Sequence, residues 1–296
     1  MEIVVFGAGS LGSLIGGLLA GVHDVTLVGR PAHIRAVDDH GLRIGGAIET
    51  TVEPETTTDG EGLQGDVALV TVKAGDTAAA ADALSTGSFG AVCSLQNGFT
   101  EKTLAAALSV PVVAGTVTYG ARLREPGHVD CTGRGTVTLG SYTDDPTAAE
   151  RAETVGEAFR AAGIETEVVD DMARQRWKKL AVNAAINPVT TLAQVENGAI
   201  REEPLWTVAR RAASETAAVA RASGVDLADD TAVEAVAAVA ESTAANRSSM
   251  LQDVDAGRST EIEAINGAVV ERAAQHGIEV PTNRLLAALV SGHESG

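Results

Sequence analysis

Short apolar runs separated by glycine-rich turns dominate the first part of the chain. Each of the stretches "EIVVFGAG", "DVTLVGR", "DVALVTVKAG", "GAVCSLQNG" and "VPVVAGTVTYGA" predicts a buried strand. The stretch "LGSLIGGLLAG", which lies between the first two, has the composition of a helix. Strands that alternate with helices predict βαβ units and a parallel sheet. We expect two later segments, "GHVDCTGRGTVTLGS" and "IETEVVDD", to add further strands to that sheet.

The pattern changes after about residue 170, where the chain becomes rich in alanine with helical spacing. The stretches "LWTVARRAASETAAVARASG", "ADDTAVEAVAAVAESTAANRSSM" and "TEIEAINGAVVERAAQHG" each predict a helix. Thr260 and Glu263 fit a capping box at the start of the last helix, and Gly277 fits its C-terminal cap. The fold class predicted is therefore α/β. It comprises an N-terminal Rossmann-type doubly wound sheet over residues 1–170 and a C-terminal all-helical domain over residues 171–296.

The net charge narrows the range of partners. The chain has 40 acidic against 22 basic residues, a formal charge of −18, which argues against binding to nucleic acid or to an anionic membrane. The N-terminus lacks the basic region of a signal peptide, and no apolar run reaches the roughly 18–20 residues of a membrane span. We therefore expect a cytoplasmic protein with a small-molecule substrate. The predicted helical domain also has enough apolar surface to form a homodimer.

The basic residues are almost all arginine, since the chain contains four lysines. Many acids, few lysines and many alanines are typical of proteins from a salt-rich cytoplasm, so a halophilic protein is one interpretation. An acidic protein from a high-GC bacterium is the other. Cys93 and Cys131 have no metal-binding or redox spacing, and the histidines are scattered, so no metal site is predicted.

The stretch "GAGSLG" directly follows the first apolar strand and opens the first predicted helix. It has the spacing G-x-G-x-x-G, in which the first glycine permits a tight turn, the second lets a pyrophosphate approach the backbone, and the third allows close packing of helix and strand. A tight turn without a ligand is the alternative. The motif predicts that a dinucleotide binds to Gly7, Ala8, Gly9, Ser10, Leu11 and Gly12.

The end of the second strand indicates which dinucleotide is bound. NAD-binding proteins usually place an acidic residue there, whereas this strand ends in Gly29-Arg30. An arginine can pair with a 2′-phosphate and stack on adenine, which favours NADPH over NADH unless Arg30 merely faces solvent. Lys73 and Asn97 follow the third and fourth strands, at the sheet edge where open α/β sheets bind ligands.

The stretch "QRWKKLAVNAAINP" contains two of the four lysines side by side. On a helix, Lys179, Asn183 and Asn187 are spaced i, i+4 and i+8 and share one face, while Lys178 is rotated by about 100° from Lys179. One ammonium and two amides beside apolar neighbours are typical of a stripe that faces a cleft. A solvent-facing stripe is the alternative.

These residues carry a resemblance to a known family. The chain resembles the ketopantoate reductases, which reduce 2-dehydropantoate (ketopantoate) to (R)-pantoate with NADPH in pantothenate and coenzyme A biosynthesis. The glycine motif is shared with many oxidoreductases, but the longer matches are more specific. The resemblance runs nearly end to end, through "GAGSLGS", "QNG", "KLAVNAAINPVTTL", "NRSSMLQDVDAGRSTEIEAINGAVV" and "GIEVPTN".

The resemblance implies a role for individual residues. Hydride addition to a ketone develops negative charge on its oxygen, and Lys179 matches the catalytic lysine that would stabilise this charge and donate a proton. Glu261 matches a glutamate that closes the site around substrate and cofactor; without the resemblance it is an acid in the first turn of a helix. The implied substrate-binding residues are Asn97, Asn183, Asn187, Asn197, Asn246 and Ser249. The implied cofactor contacts are Lys73, Asn97, Ala121 and Glu261.

Three other functions remain open at this point. A reductase of another branched 2-oxo acid would need the same scaffold and cofactor with a different pocket. A non-catalytic NADPH-binding regulator would bind the cofactor without turnover, although it would have no use for the Lys179 face or for Glu261. A relative of the β-hydroxyacid dehydrogenases would share the two-domain plan but not these motifs.

Overall fold

The computed structural model describes residues 1–143 and 145–294 and divides them between two compact units. The first unit contains Met1–Gln96 and Thr100–Met172. The second contains the chain from Ala173 onward together with three residues from the first half, Asn97–Phe99. Each unit is described separately below.

The described residues of the first unit form twelve strands and five α-helices. The strands are β1 (Glu2–Phe6), β2 (Asp24–Val28), β3 (Leu42–Gly46), β4 (Thr50–Val52), β5 (Glu55–Thr57), β6 (Gln64–Val70), β7 (Ser88–Ser94), β8 (Val112–Val117), β9 (Gly120–Glu125), β10 (His128–Gly133), β11 (Val137–Ser141) and β12 (Thr166–Val168). The helices are α1 (Ser10–Ala20), α2 (Pro31–His40), α3 (Thr77–Ser85), α4 (Glu101–Ala107) and α5 (Pro146–Ala161).

Eight of these strands form one sheet in the order β12-β11-β8-β7-β6-β1-β2-β5. All neighbours are parallel except β8 and β11, which are antiparallel. Apolar cores lie on both faces of the sheet, one with residues of α1, α2 and α5 and the other with residues of α3 and α4. Because the central strands are buried on both faces, they are nearly continuous apolar runs. The predicted doubly wound sheet is confirmed, and β11 and β12 extend it as expected.

A second sheet of four strands, in the order β4-β3-β10-β9, was not predicted. The segment "GHVDC" was expected to extend the main sheet, but its strand β10 pairs in parallel with β3 and antiparallel with β9 instead. Two short polar strands also escape prediction: β4 of this second sheet, which reads "TTV", and β5 at the edge of the main sheet, which reads "ETT". No residue in either strand is buried, so the sequence contains no apolar run that would reveal them.

A buried histidine links α1 and α2 to the turn between β9 and β10. The Nδ1 atom of His33 accepts the backbone N–H of Gly127 at 3.1 Å, so Nε2 carries the ring hydrogen and donates to the Ser13 hydroxyl at 3.0 Å. His33 is 4% exposed, and this burial lowers its pKa.

The second unit is helical. Its helices are α6 (Met172–Ala193), α7 (Leu205–Ala222), α8 (Asp229–Ser242), α9 (Ser249–Asp255), α10 (Ala268–His276) and α11 (Pro281–Glu294). The core between them consists largely of alanine, valine, leucine and isoleucine, as the scarcity of aromatic residues suggests. The single helix expected over "ADDTAVEAVAAVAESTAANRSSM" is wrong, because residues 243–248 separate α8 from α9.

The approach to α10 also differs from the prediction. Gly277 caps the helix in the left-handed conformation as predicted, with φ of +65°. The capping box is wrong: the N–H of Thr260 donates to Glu294 at 2.6 Å, and Glu263 accepts from the Ser291 hydroxyl at 3.0 Å. A π-helical turn, Glu263–Gly267, precedes α10. Such turns are often found at functional sites.

Across the described residues, no helix combines the length and the apolar character that a membrane span requires.

Candidate active site

The glycine-rich turn joins β1 to α1 in the first unit. The N–H groups of Gly7 and Ala8 both donate to the carbonyl of Val28, at 3.0 and 2.8 Å. Gly7 has φ of +116°, and a side chain there would meet the backbone of Val72 at 2.6 Å. A side chain on Gly12 would collide with the carbonyl of Gly7. Both positions therefore require glycine, for the turn and for close packing respectively.

Gly9 differs from its two neighbours in the motif. A Cβ atom at Gly9 would meet only the Gly7 carbonyl, at 4.0 Å, so the backbone is open to a ligand at this point. Among the described residues no side chain caps the N-terminus of α1, and the N–H groups at a helix N-terminus are suited to bind a phosphate. The turn therefore fits the pyrophosphate of a dinucleotide.

The remaining residues of the turn act mainly through their backbone or through packing. Ala8 is buried, and Leu11 packs against the core under the sheet. The Ser10 hydroxyl accepts the N–H of Leu123 at 3.1 Å, which fixes β9 beside the turn. Ala121, a predicted cofactor contact, lies on that same strand, where it packs against the core.

Arg30 and Lys73 follow β2 and β6 at the same edge of the sheet as the glycine turn. Arg30 is exposed and directly precedes α2, whose first residue is Pro31. Lys73 is half-buried and precedes a short 3₁₀ turn, Ala74–Asp76. Both positions are at the carboxyl ends of parallel strands, as predicted for cofactor-binding residues.

Gln96 is a site residue that sequence reasoning missed. It is 7% exposed, and its Nε2 donates to the carbonyl of Val72 at 3.0 Å and to the hydroxyl of Thr77 at 2.8 Å. These bonds hold the turn that carries Lys73 against the end of β7. The signal for Gln96 in the sequence is a polar residue that directly follows a buried apolar run.

In the second unit, α6 presents the predicted polar face. Lys179 is half-buried and Asn187 is 6% exposed, whereas Lys178 is exposed. The apolar neighbours Leu180 and Ile186 are buried in the helical core. The two adjacent lysines therefore have different environments, as the helical spacing predicts.

Three predicted site residues from distant parts of the sequence are joined by hydrogen bonds in the second unit. Asn183 Nδ2 donates to Asn97 Oδ1 at 3.2 Å, and Asn97 Nδ2 donates to Glu261 Oε2 at 2.7 Å. The carboxylate accepts only, so the Asn97 amide must point its NH₂ group at Glu261 and its oxygen at Asn183. Asn97, although it follows a strand of the sheet, thus belongs with the helical residues.

Asn197 and Asn246 form a separate pair. The N–H of Asn197 donates to the carbonyl of Asn246 at 2.9 Å, and its side-chain amide donates to the Thr243 hydroxyl at 2.9 Å. Asn197 is 7% exposed, and its Oδ1 has no hydrogen-bond partner among the described residues. A buried acceptor of this kind is costly unless it is satisfied.

The two neighbouring serines at α9 have different positions. Ser249, the predicted substrate contact, is exposed at the first residue of the helix. Ser248, to which the sequence assigned no role, is buried; its hydroxyl accepts the N–H of Leu251 at 3.2 Å and shares a hydrogen bond with the Thr190 hydroxyl at 2.8 Å. Ser248 therefore fixes the loop that presents Ser249 and Asn246.

A doubly wound sheet with an open glycine turn, together with a helical unit that carries a lysine, amides and a carboxylate, defines a NAD(P)-dependent oxidoreductase. Comparison with known proteins specifies the family. Residues 3–144 match the profile described as "Ketopantoate reductase PanE/ApbA", and residues 171–294 match "Ketopantoate reductase PanE/ApbA C terminal". The chain belongs to the ketopantoate reductase family.

Individual relatives agree with this assignment. The chain is 44% identical to the 2-dehydropantoate 2-reductase of Halobacterium salinarum, with 98% of each chain covered. It is 42% identical to that of Archaeoglobus fulgidus, over 100% of this chain and 98% of the relative. The crystal structure of a PanE/ApbA family ketopantoate reductase from Ralstonia eutropha JMP134 superposes with a TM-score of 0.90 at 35% identity, covering 100% of this chain and 99% of that one.

Proposed function

We propose that this protein reduces 2-dehydropantoate to (R)-pantoate with NADPH. The observation that carries the proposal is the polar face of α6, where Lys179 shares a helix face with Asn183, and Asn183 is hydrogen-bonded through Asn97 to Glu261. A lysine that can protonate an oxygen, beside amides held in fixed orientation, suits the reduction of a ketone. Family membership and the full-length relatives support the same reaction.

The proposed mechanism assigns a task to each of these groups. NADPH supplies the hydride when it is bound. The ammonium of Lys179 stabilises the negative charge that develops on the ketone oxygen and then donates a proton to it. Glu261 accepts a hydrogen bond from the substrate hydroxyl, and the amides of Asn97 and Asn183 orient the substrate without adding charge. We assign binding of the rest of the substrate to Asn187, Asn197, Asn246 and Ser249.

The cofactor part of the proposal rests on the first unit. The open backbone at Gly9 suits a pyrophosphate, and the exposed guanidinium of Arg30 after β2 suits the 2′-phosphate that distinguishes NADPH from NADH. We accordingly assign residues 1–170 to NADPH binding and residues 171–296, together with Asn97 from the first half, to substrate binding and catalysis. A cytoplasmic location and a homodimer remain predictions from the sequence.

The test is a comparison of turnover across substrates and cofactors. NADPH oxidation is followed with ketopantoate and with a panel of other 2-oxo acids, and then with NADH in place of NADPH. We expect ketopantoate with NADPH to give the highest kcat/KM. A higher value for another branched 2-oxo acid would reassign the substrate, and NADPH binding without turnover of any 2-oxo acid would indicate a regulator.

A further inference from the structure

The segment Asn97–Phe99 groups with the helical unit although it lies between β7 and α4 in the chain. Its central residue fixes the backbone: Gly98 has φ of +82°, and a Cβ atom there would lie 2.6 Å from the carbonyl oxygen of Ala264 in the π-helical turn. Only glycine combines that conformation with so close an approach. The segment is therefore held tightly against the turn that follows Glu261.

Phe99 anchors the other end of the segment. Its ring meets the ring of Trp177 edge-on, with centroids 4.8 Å apart and an interplanar angle of 60°. The guanidinium carbon of Arg272 lies 4.0 Å from the centre of the Phe99 ring and 5.7 Å from that of Trp177. These distances are within the range of aromatic edge-to-face and cation–π attraction. We call Phe99, Trp177 and Arg272 the aromatic clamp.

Two members of the clamp lie on the elements that carry Asn97 and Asn183, and the third lies on the helix that follows Glu261. Phe99 is two positions from Asn97 in the same segment. Trp177, which is 4% exposed, belongs to α6 with Asn183, and Arg272 belongs to α10, which follows Glu261 through the π-helical turn. The clamp thus ties the segment of Asn97 to α6, which carries Asn183, and to α10, which follows Glu261.

We propose that the aromatic clamp is a positioning device for Asn97. The clamp fixes the segment Asn97–Phe99 so that the Asn97 amide stays between Asn183 and Glu261. The effect on turnover rests on the proposed function, because it presumes that these three residues act on the 2-oxo acid. Displacement of a site group by about 1 Å can lower the rate by about 10²-fold, so a loosened anchor should be measurable.

A double-mutant cycle separates this role from general stability. We expect Phe99→Leu to lower kcat/KM for ketopantoate about tenfold and Asn97→Ala to lower it by about 10²-fold. If Phe99 acts through Asn97, the double variant should be no slower than Asn97→Ala alone. If the loss of kcat/KM in the double variant equals the product of the two single losses, the two residues act independently and the proposal is overturned.

The arginine supplies an independent arm with a matched control. Arg272→Met removes the cation nearest to the Phe99 ring and should reproduce most of the loss of Phe99→Leu, whereas Arg272→Lys keeps a cation there and should recover part of it. Arg176, whose guanidinium carbon lies 4.8 Å from the centre of the same ring, is present in both variants. Arg210→Met alters an exposed arginine on α7 of the same unit and should stay within about twofold of the parent. Equal losses in Arg272→Met and Arg210→Met would overturn the proposal, and melting temperatures identify any variant that fails to fold.

A readout without substrate keeps this inference distinct from the proposed function. The Asn97 side-chain amide can be observed by NMR and identified by its disappearance in Asn97→Ala. Phe99→Leu and Arg272→Met should shift the resonance of this amide toward the chemical shift of a solvent-exposed asparagine, while Arg210→Met should leave the resonance unchanged. An unmoved resonance in both clamp variants would overturn the inference, whereas absence of ketopantoate turnover in the parent protein would overturn only the proposed function.

Discussion

The proposed mechanism can be tested by comparing substitutions of the two adjacent lysines of α6, Lys178 and Lys179. Lys179→Ala and Lys178→Ala remove the same side chain from consecutive positions on one helix. Lys179 is half-buried on the face that carries Asn183 and Asn187, and Lys178 is exposed. Only the first substitution should remove a proton donor from the site.

The expected size of the effect follows from the role assigned to Lys179. General acid catalysis contributes about 10²–10⁴ to a rate, which corresponds to about 2.7–5.4 kcal/mol of activation free energy at 1.36 kcal/mol for each tenfold change. Folding should be little affected, because neither lysine is part of the buried core and alanine is the best helix former. The loss should therefore appear in kcat and not in the melting temperature.

The assay is steady-state oxidation of NADPH with saturating ketopantoate, together with the Kd for NADPH of each variant. Lys179→Ala should lose at least about 10² in kcat with NADPH binding nearly unchanged, and Lys178→Ala should stay within about threefold of the parent. If the two variants lose activity equally, the assignment of the catalytic face of α6 is wrong.

Three further predictions concern the cofactor, the buried histidine and the net charge. Arg30→Ala should weaken NADPH binding about tenfold or more and leave NADH binding unchanged, because a charge-assisted bond is worth about 1.5–3 kcal/mol; equal losses for both cofactors would contradict the 2′-phosphate assignment. Burial lowers the pKa of His33, so the unfolded chain binds more protons below about pH 6.5 and stability should fall as the pH drops through that value. Urea unfolding should show a weaker pH dependence in His33→Gln, and identical slopes would refute this reasoning. The melting temperature should rise between about 0.1 and 2 M potassium chloride as the charge of −18 is screened, and a flat profile would reject the halophilic interpretation.

The sequence predicts the main sheet well because its central strands are buried on both faces. β1 contains the apolar run Ile3–Phe6 and β6 the apolar run Val67–Val70, and both runs are bounded by turn residues as expected for buried parallel strands. The second sheet could not be predicted, because β4 is short and polar and because the sheet depends on the pairing of β3 with β10, which lies more than 80 residues further along the chain. Alanine-rich composition likewise conceals the break between α8 and α9, since every neighbouring residue is compatible with a helix.

Part of the site could likewise be predicted from the sequence and part could not. Helical spacing alone places Lys179, Asn183 and Asn187 on one face of α6. The bond from Asn97 to Glu261 joins residues 164 positions apart, and no local pattern could predict it; here the family resemblance supplied the residues and the structure supplied their contacts. The role of Gln96 could not be predicted, because it depends on contacts of its amide with Val72 and Thr77, and the spacing of residues along the chain does not reveal these contacts.

The position of Asn97–Phe99 has a consequence for recombination between relatives. A hybrid joined near residue 170 would take Asn97 and Phe99 from one parent but Trp177 and Glu261 from the other. The helical half is therefore not a self-contained cassette, since three residues encoded in the first half complete it. Active chimeras should be those whose two parents have the same residues both in the 97–99 segment and at its contacts in the helical half. Where the parents differ at these positions, a library with a single crossover at the domain boundary should contain few active members.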